Sequence, residues 1–318
     1  MATGTTTPGN FQSELPLQAS SDLLSTPQFN LIYSFAANEY EAKQNMGDTV
    51  RMSRFERLST DGGRLDGSGI DPSPEVPVRT DVDAQVEIYA KSIVVNEQVD
   101  LFNSAPVQAK YKMLLGQWLR EKEDLLMRDL LSANVVFQTA VGGVSSDNPT
   151  EMARSDINNI EQILLNGDAR TTMESLEAAD RFGTAPVRDA FVAMCSTAIT
   201  PDLQNVSGVV LKANYAQQEG LRPEEYCSIG RFRFFVSSKG AKVDNASAAG
   251  ATVYRIPMAG MESYARLEQN GYSARVGIIP NYVMSSVGQN YGMYAKFAIA
   301  RAITNQNWIS GLEVTKRL

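Results

Sequence analysis

The feature that most limits what this chain can build is a single long apolar stripe. From Val107 to Asn134, Tyr111, Leu115, Trp118, Leu119, Leu126 and Leu130 recur at spacings of three, four or seven, which puts them on one side of an α-helix. At 1.5 Å per residue, about 28 residues make a rod of roughly 42 Å, longer than a typical globular helix. The rest of the molecule has to be arranged along that rod. Arg120, Asp124 and Arg128 follow one another at i, i+4 and i+8, so they are predicted to form a charge ladder on the exposed side. On that reading Asp124 is no catalytic carboxylate.

Before the helix, Thr49 to Leu58 (TVRMSRFERL) and Asp81 to Val95 (DVDAQVEIYAKSIVV) flank a stretch rich in Gly and Pro. The pair reads as a long β-hairpin with an elaborate tip. In the second arm Val82, Ala84, Val86, Ile88 and Ala90 alternate with Asp81, Asp83, Gln85, Glu87 and Lys91, the period-2 pattern of a strand with one face buried. A structureless tip of that length is commonly functional or held by a partner. Arg51, Arg54, Arg57, Arg64 and Arg79 are interspersed with Glu56, Asp61, Asp66, Asp71 and Glu75, a mixture that favours salt bridging.

Residues 1 to about 45 are polar and carry Glu14, Asp22, Glu39 and Glu41 before the first positive charge at Lys43. They are expected to form an arm. Leu23, Leu24, Phe29, Leu31, Ile32, Tyr33 and Phe35 make this arm too apolar to remain in water, so it should lie on another surface. After the long helix a second one is predicted, with Ser155 as N-cap, a face of Ile157, Ile160 and Leu164, and a stop at Asn166-Gly167. From residue 186 short strands (Ala190 to Cys195, Arg231 to Val236, Thr252 to Ile256, Tyr291 to Ile299) surround a helix start at Thr200-Pro201-Asp202. Sheet and helices occur in separate runs, which makes the fold class α+β.

The chain has 318 residues and no histidine, which removes Ser-His-Asp and Cys-His nucleophiles, His-based metal sites and the usual general base. A net charge of -7 has the wrong sign for affinity built on neutralising phosphates. Cys195 and Cys227 have no Cys-x-x-Cys context and are expected to be reduced core residues. No apolar run reaches the ~18 residues of a membrane span. Residues 1 to 42 lack Lys and Arg, so a basic signal-peptide start is not expected.

Motifs of chemistry are missing in turn. There is no P-loop, and Gly67-Ser68-Gly69 is followed by Pro72 instead of opening a helix. No Gly-x-Ser-x-Gly elbow and no Ser-x-x-Lys pair occurs. Asp81 and Asp83 resemble the start of a calcium loop, but Val86 and Ser92 stand where glycine and glutamate are required. Glu224-Glu225 and Glu121 with Glu123 are read as solvated carboxylates and not as a glycosidase pair. Phe232, Phe234 and Phe235 beside Arg231 and Arg233 read as a core strand before a nucleic-acid stacking platform. No cofactor and no metal is expected.

Several stretches together carry a resemblance. They are DVDAQVEIYAKSIVVNEQVDL at 81 to 101, QAKYKMLLGQWLREKEDLLMRDLLSANVV at 108 to 136 and APVRDAFVAMCSTAITPDLQNV at 185 to 206. EEYCSIGRFRFFVSS at 224 to 238, ATVYRIPMAGMESYARLEQ at 251 to 269 and VGQNYGMYAKFAIARAITNQNWISGLEV at 287 to 314 follow in order. Over residues 49 to 314 the chain resembles the major capsid proteins of tailed double-stranded DNA bacteriophages, the Hong Kong 97 fold, and within them the branch related to the capsid protein of coliphage N-four. These motifs are textural, and their specificity lies in order and spacing.

The resemblance implies an N-terminal arm at 1–45, an extended β-hairpin loop at 46–95 and a peripheral domain at 96–185 with the spine helix at about 107–134. An axial domain at 186–290 and C-terminal strands at 291–318 returning to the peripheral domain complete the set. It further implies a structural, non-catalytic protein that assembles as hexamers and pentamers into an icosahedral head around packaged DNA. Partners would be the chain itself, a scaffold protein, a portal and cement or decoration proteins, with no membrane involved. The protein would be made in the host cytoplasm and reside in the virion. Arm and extended loop would cross neighbouring subunits, with Arg51, Arg54, Arg57 and Arg64 as candidates for intersubunit salt bridges. Family members that cross-link lysine to asparagine have no assignable counterpart residues here, so a non-covalent shell is expected. An encapsulin-type nanocompartment shell and a histidine-free carboxylate enzyme are the alternatives.

Overall fold

The computed structural model describes residues 28–43, 47–60, 74–96, 98, 107–172, 189–215, 221–269, 274–280 and 289–317. Arg64, the hairpin tip at 61–73 and the first part of the arm, 1–27, lie outside the described residues. Helix α1 spans Val107–Asn134, the bounds its stripe predicts. Two sheets are assembled along it.

The first sheet contains β1 (Asn38–Ala42), β4 (Glu87–Asn96), β12 (Tyr264–Gln269), β13 (Arg275–Ile279) and β14 (Asn290–Ile303). β14 is its axis. One edge of β14 pairs with β4 through residues 290–299, and the other is shared by β13 at 292–296 and β12 at 299–303, all antiparallel. β1 adds a parallel strand outside β12. Leu115, Leu119 and Leu126 of α1 close one face against Val95, Met293, Ala295, Phe297 and Ile299. Stacking of Tyr89 on Phe297 and an edge contact from Trp118 extend this packing.

The opposite face of that sheet carries the hairpin, β2 (Thr49–Phe55) and β3 (Arg79–Gln85), antiparallel in register from Thr49↔Gln85 to Phe55↔Arg79. Val50, Met52, Val82 and Ala84 lie on Ala265, Leu267, Ala300 and Ala302, where small side chains let the two layers approach closely. The alternation predicted through Ala90 does not persist. At Val86 the ladder breaks between β3 and β4, and the inward set changes from Val82, Ala84 and Val86 to Tyr89, Ile93 and Val95. Ile88 is consequently 64% exposed. The reason is a change of partner: β3 turns its apolar face to β12 and β14 from outside, whereas β4 joins the sheet and turns to α1.

The second sheet runs β5 (Phe137–Thr139), β15 (Ile309–Thr315), β11 (Val253–Ala259), β6 (Phe191–Ser196), β9 (Phe232–Ser237), β8 (Glu225–Ile229), β7 (Val209–Leu211), with β10 (Lys242–Val243) beside β11. Every residue of β6 is buried because both faces are covered. Phe191, Ala193 and Cys195 face α2 (Arg154–Asn166) and α3 (Thr200–Asn205). Val192 and Met194 face Met127 and Leu131 of α1, with Ile32 and Tyr33. Thus α1 packs its first half on one sheet and its last turns on the other. The phenylalanines of β9 lie in these cores as the sequence led us to expect, and both cysteines are free and buried.

Two local expectations change. The N-cap of α2 is Ala153, not Ser155; Asp156 reaches back to accept from the Ala153 N–H at 3.2 Å and thereby supplies the cap an alanine cannot. The arm is also not separate from the core over its last residues, since Ile32 and Tyr33 have no exposed surface and β1 is a sheet strand.

Candidate functional site

The hairpin is where charge and exposed apolar surface meet. On its solvent face Arg51 makes a bidentate pair with Asp83, Nε to Oδ1 at 2.7 Å and Nη2 to Oδ2 at 2.8 Å. Arg79 bonds Asp81 at 2.7 Å and donates to the Ser53 hydroxyl at 2.6 Å. Glu56 accepts from the Thr80 hydroxyl at 2.6 Å and from Arg54 at 3.1 Å. The pKa values follow these bonds: Arg51 holds Asp83 below the ordinary carboxylate range, Ser53 and Arg79 do so for Asp81, and Thr80 and Arg54 for Glu56.

Two arginines reach the body. Arg54 donates to the Thr304 carbonyl at 3.2 Å and Arg57 pairs with Asp168 at 3.3 Å. They bridge a cleft of about 880 Å³ between hairpin and body, with Tyr40, Phe55, Arg170 and Trp308 among its lining residues. Of the four predicted contact residues, Arg51, Arg54 and Arg57 are therefore placed on one hairpin with partners in their own chain. Phe55 of the cleft lining is 72% exposed, and the hairpin also presents Leu58, Val76 (81% exposed) and Val78 to solvent.

The second feature was misread in the sequence. Asp124 is not on an exposed ladder: it is buried and its carboxylate faces the N-terminal segment. Oδ1 accepts from the N–H of Tyr33 at 2.8 Å, the N–H of Ser34 at 2.9 Å and the Ser34 hydroxyl at 3.1 Å, and Oδ2 accepts from Ile32 N–H at 3.3 Å. Burial raises its pKa, against the lowering effect of these donors. The spacing rule failed because the other side of α1 is covered by residues about ninety positions earlier. Arg128 likewise bonds the Lys239 carbonyl and Asp129 instead of a helix neighbour at i−4.

Glu225 is also not solvated. It stands in the core opposite the buried Arg233 at 3.8 Å and accepts from the Tyr215 hydroxyl at 3.0 Å. A bulge between Glu225 and Cys227 breaks the strand's regular alternation, which residue spacing alone does not reveal. Burial raises Glu225 and pushes the Cys227 thiol up to about 12, so Cys227 is not an activated nucleophile. Among the described residues no group of three or more His, Cys, Asp or Glu is placed to hold a metal ion. No helix there is long and apolar enough to cross a membrane.

Neither a protein-family model nor a curated protein sequence matches the chain. Solved structures do. A chain of the capsid of Ralstonia phage GP4 superposes with a TM-score of 0.68 at 11% identity, covering 99% of this chain and 99% of that one. A chain of the capsid of cyanophage P-SCSP1u gives 0.67 at 9% identity, covering 100% and 97%. The head of Helicobacter pylori bacteriophage KHP40 gives 0.65 at 8% identity, covering 98% of each chain. With identities this low the likeness is one of fold, and it extends over essentially the whole length: the chain has the α+β fold found in these phage capsid structures.

Proposed function

We propose that the protein is the major capsid protein of a tailed double-stranded DNA bacteriophage, a shell subunit and not an enzyme. The observation that carries the reading is the full-length likeness to capsid chains in both directions, 99% and 99% for Ralstonia phage GP4. The exposure of Phe55, Leu58, Val76 and Val78 on the hairpin agrees with it, since such side chains gain by burial on a neighbour.

In this reading the fold is of the Hong Kong 97 type, in the branch related to coliphage N-four. Residues 1–45 are the arm, 46–95 the extended loop, 96–185 the peripheral domain, 186–290 the axial domain and 291–318 the returning strands. Subunits form hexamers and pentamers of a closed icosahedral shell. The net charge of -7 suits walls that enclose DNA without gripping it. Scaffold, portal and cement proteins are the expected partners, and assembly takes place in the host cytoplasm. Arg51, Arg54 and Arg57 serve as intersubunit contacts when their own-chain partners are exchanged for a neighbour's carboxylates, and Arg64 serves as a fourth contact, each pair weak but repeated throughout the shell.

Negative-stain electron microscopy of the expressed protein tests this, alone and with the product of the neighbouring upstream gene as candidate scaffold. Closed shells or regular tubes tens of nanometres wide are expected. Shells that co-purify with an enzyme cargo and no DNA from infected cells would transfer the reading to a nanocompartment. Dispersed single subunits under both conditions would overturn it.

A further inference from the structure

Residues 30–42 form a strap that runs from the core between α1 and the second sheet, at Ile32 and Tyr33, to the edge of the first sheet, which it joins as β1. Its first part makes a tight turn whose three successive N–H groups, those of Ile32, Tyr33 and Ser34, converge on the Asp124 carboxylate. Consecutive amides in a turn form a concavity suited to an anion, and here a side chain from α1 fills it. The preceding helix residue acts on the strap's other end. Glu123 holds one guanidinium nitrogen of Arg266, on β12, and a second nitrogen of the same arginine holds Glu39 of β1. Two adjacent carboxylates on one turn of α1 thus fasten the strap at Ile32 to Ser34 and at Glu39, one directly and one through an arginine.

Further ties hold the strap to β12 of the first sheet and to the second sheet. The Tyr264 hydroxyl donates to the Tyr33 carbonyl at 2.7 Å, the Ala241 N–H donates to the Tyr33 hydroxyl at 3.0 Å, and the Ser237 hydroxyl donates to the Asn30 carbonyl at 2.7 Å. Most of the polar contacts that position the turn use strap backbone, so the turn's path depends on the groups facing it more than on its own side chains.

We infer that Asp124 is a positioning residue that locks the N-terminal strap onto α1, so that a displacement of the helix carries with it the point where the chain before Gln28 joins the body. The inference rests on contacts within one chain and does not depend on the shell reading. In a shell it would link helix movement to the N-terminal arm.

Hydrogen–deuterium exchange of the isolated wild-type and Asp124→Ala proteins tests it. Removing the carboxylate leaves three N–H groups, those of Ile32 and Tyr33 buried and that of Ser34 part-buried, without an acceptor, so these amides should exchange roughly ten- to hundred-fold faster. Amides of β11 and β14 should keep their wild-type rates. Unchanged exchange at 32–34 would overturn the inference, and a parallel rise at all sites would reduce Asp124 to a general stability role and equally overturn it. If Asp124→Ala does not fold, Ser34→Ala removes one of the four bonds and should give a smaller rise confined to the strap; no rise would refute the lock. Spin labels on Glu41→Cys and Arg120→Cys, both exposed, supply a second reading. Their distance distribution should be narrow in the wild type and broad without the Asp124 carboxylate, and equal widths would contradict the proposal. Cys195 and Cys227, fully buried, stay unlabelled.

Discussion

Truncating Leu131 to alanine tests whether α1 unites the two sheets into one cooperative unit. Leu131 has no exposed surface and packs with Met127, Val192, Met194, Phe235 and Ile309 at the second sheet. The change deletes three carbons, about 2.4 kcal/mol of transfer free energy at ~0.8 kcal/mol each. A residual cavity adds to this, since a core closed by β6, β9 and α1 has little room to collapse, and a total of about 3 to 4 kcal/mol is expected. The two tryptophans report on different layers. Trp118 lies on α1 against Phe297 of the first sheet, and Trp308, bonded to the Gly167 carbonyl at 2.9 Å, directly precedes β15 of the second. Urea unfolding followed by fluorescence in Trp118→Phe and Trp308→Phe backgrounds separates their signals. Both transitions should shift by the same free energy although the lesion is at the second sheet only. A shift confined to Trp308 would show that the sheets unfold independently, and a loss under about 1 kcal/mol would refute the packing argument itself.

Three further outcomes are expected. Glu151 accepts from the N–H groups of Val144 and Ser145 at 2.9 and 3.1 Å; burial works against it, but the Ser145 hydroxyl and these amides hold its pKa down from 4.5 to about 2. Because the folded-state value is the lower one, the stabilisation is complete above pH 4.5 and is lost as pH falls towards 2, and exchange at 144–145 should accelerate in that window for wild type but not for Glu151→Gln. Gly311→Ala would put a Cβ 2.3 Å from the Phe137 ring and 3.2 Å from the Ile256 carbonyl, costing about 1 to 3 kcal/mol; an equal cost in a Phe137→Ala background would refute the clash. Reversing Arg54 and Arg57 to glutamate should abolish shell formation while circular dichroism of the isolated subunit is unchanged, and normal shells from the double variant would remove both residues from the interface.

What the sequence disclosed depended on the range of the interaction. The bounds of α1 were legible because its stripe is long and its packing repeats each turn. The stop of α2 at Asn166-Gly167 and the start of α3 at Thr200-Pro201-Asp202 were legible because they are local backbone chemistry. Ala153 was not, since its cap comes from a side chain three residues later. The switch of facing at Val86 has no local signal: an alternating pattern runs through it, and only the change of neighbour from β2 to β14 decides which side is inward. Asp124 and Glu225 were misplaced for the same reason. A carboxylate spaced four residues from arginines looks like a surface ladder until a distant segment covers it, and a Glu-Glu pair looks solvated until a bulge and Arg233 draw one member inside. The four arginines were visible as a cluster, but not the choice between their own hairpin and a neighbour.

Sedimentation velocity of the purified protein, with and without its candidate scaffold, most directly tests whether this fold is a shell subunit. The account predicts a fast boundary of megadalton particles in discrete closed sizes, at least when scaffold is present. A single slow boundary at subunit mass under both conditions, from protein shown to be folded by its Trp118 and Trp308 unfolding transitions, would contradict it.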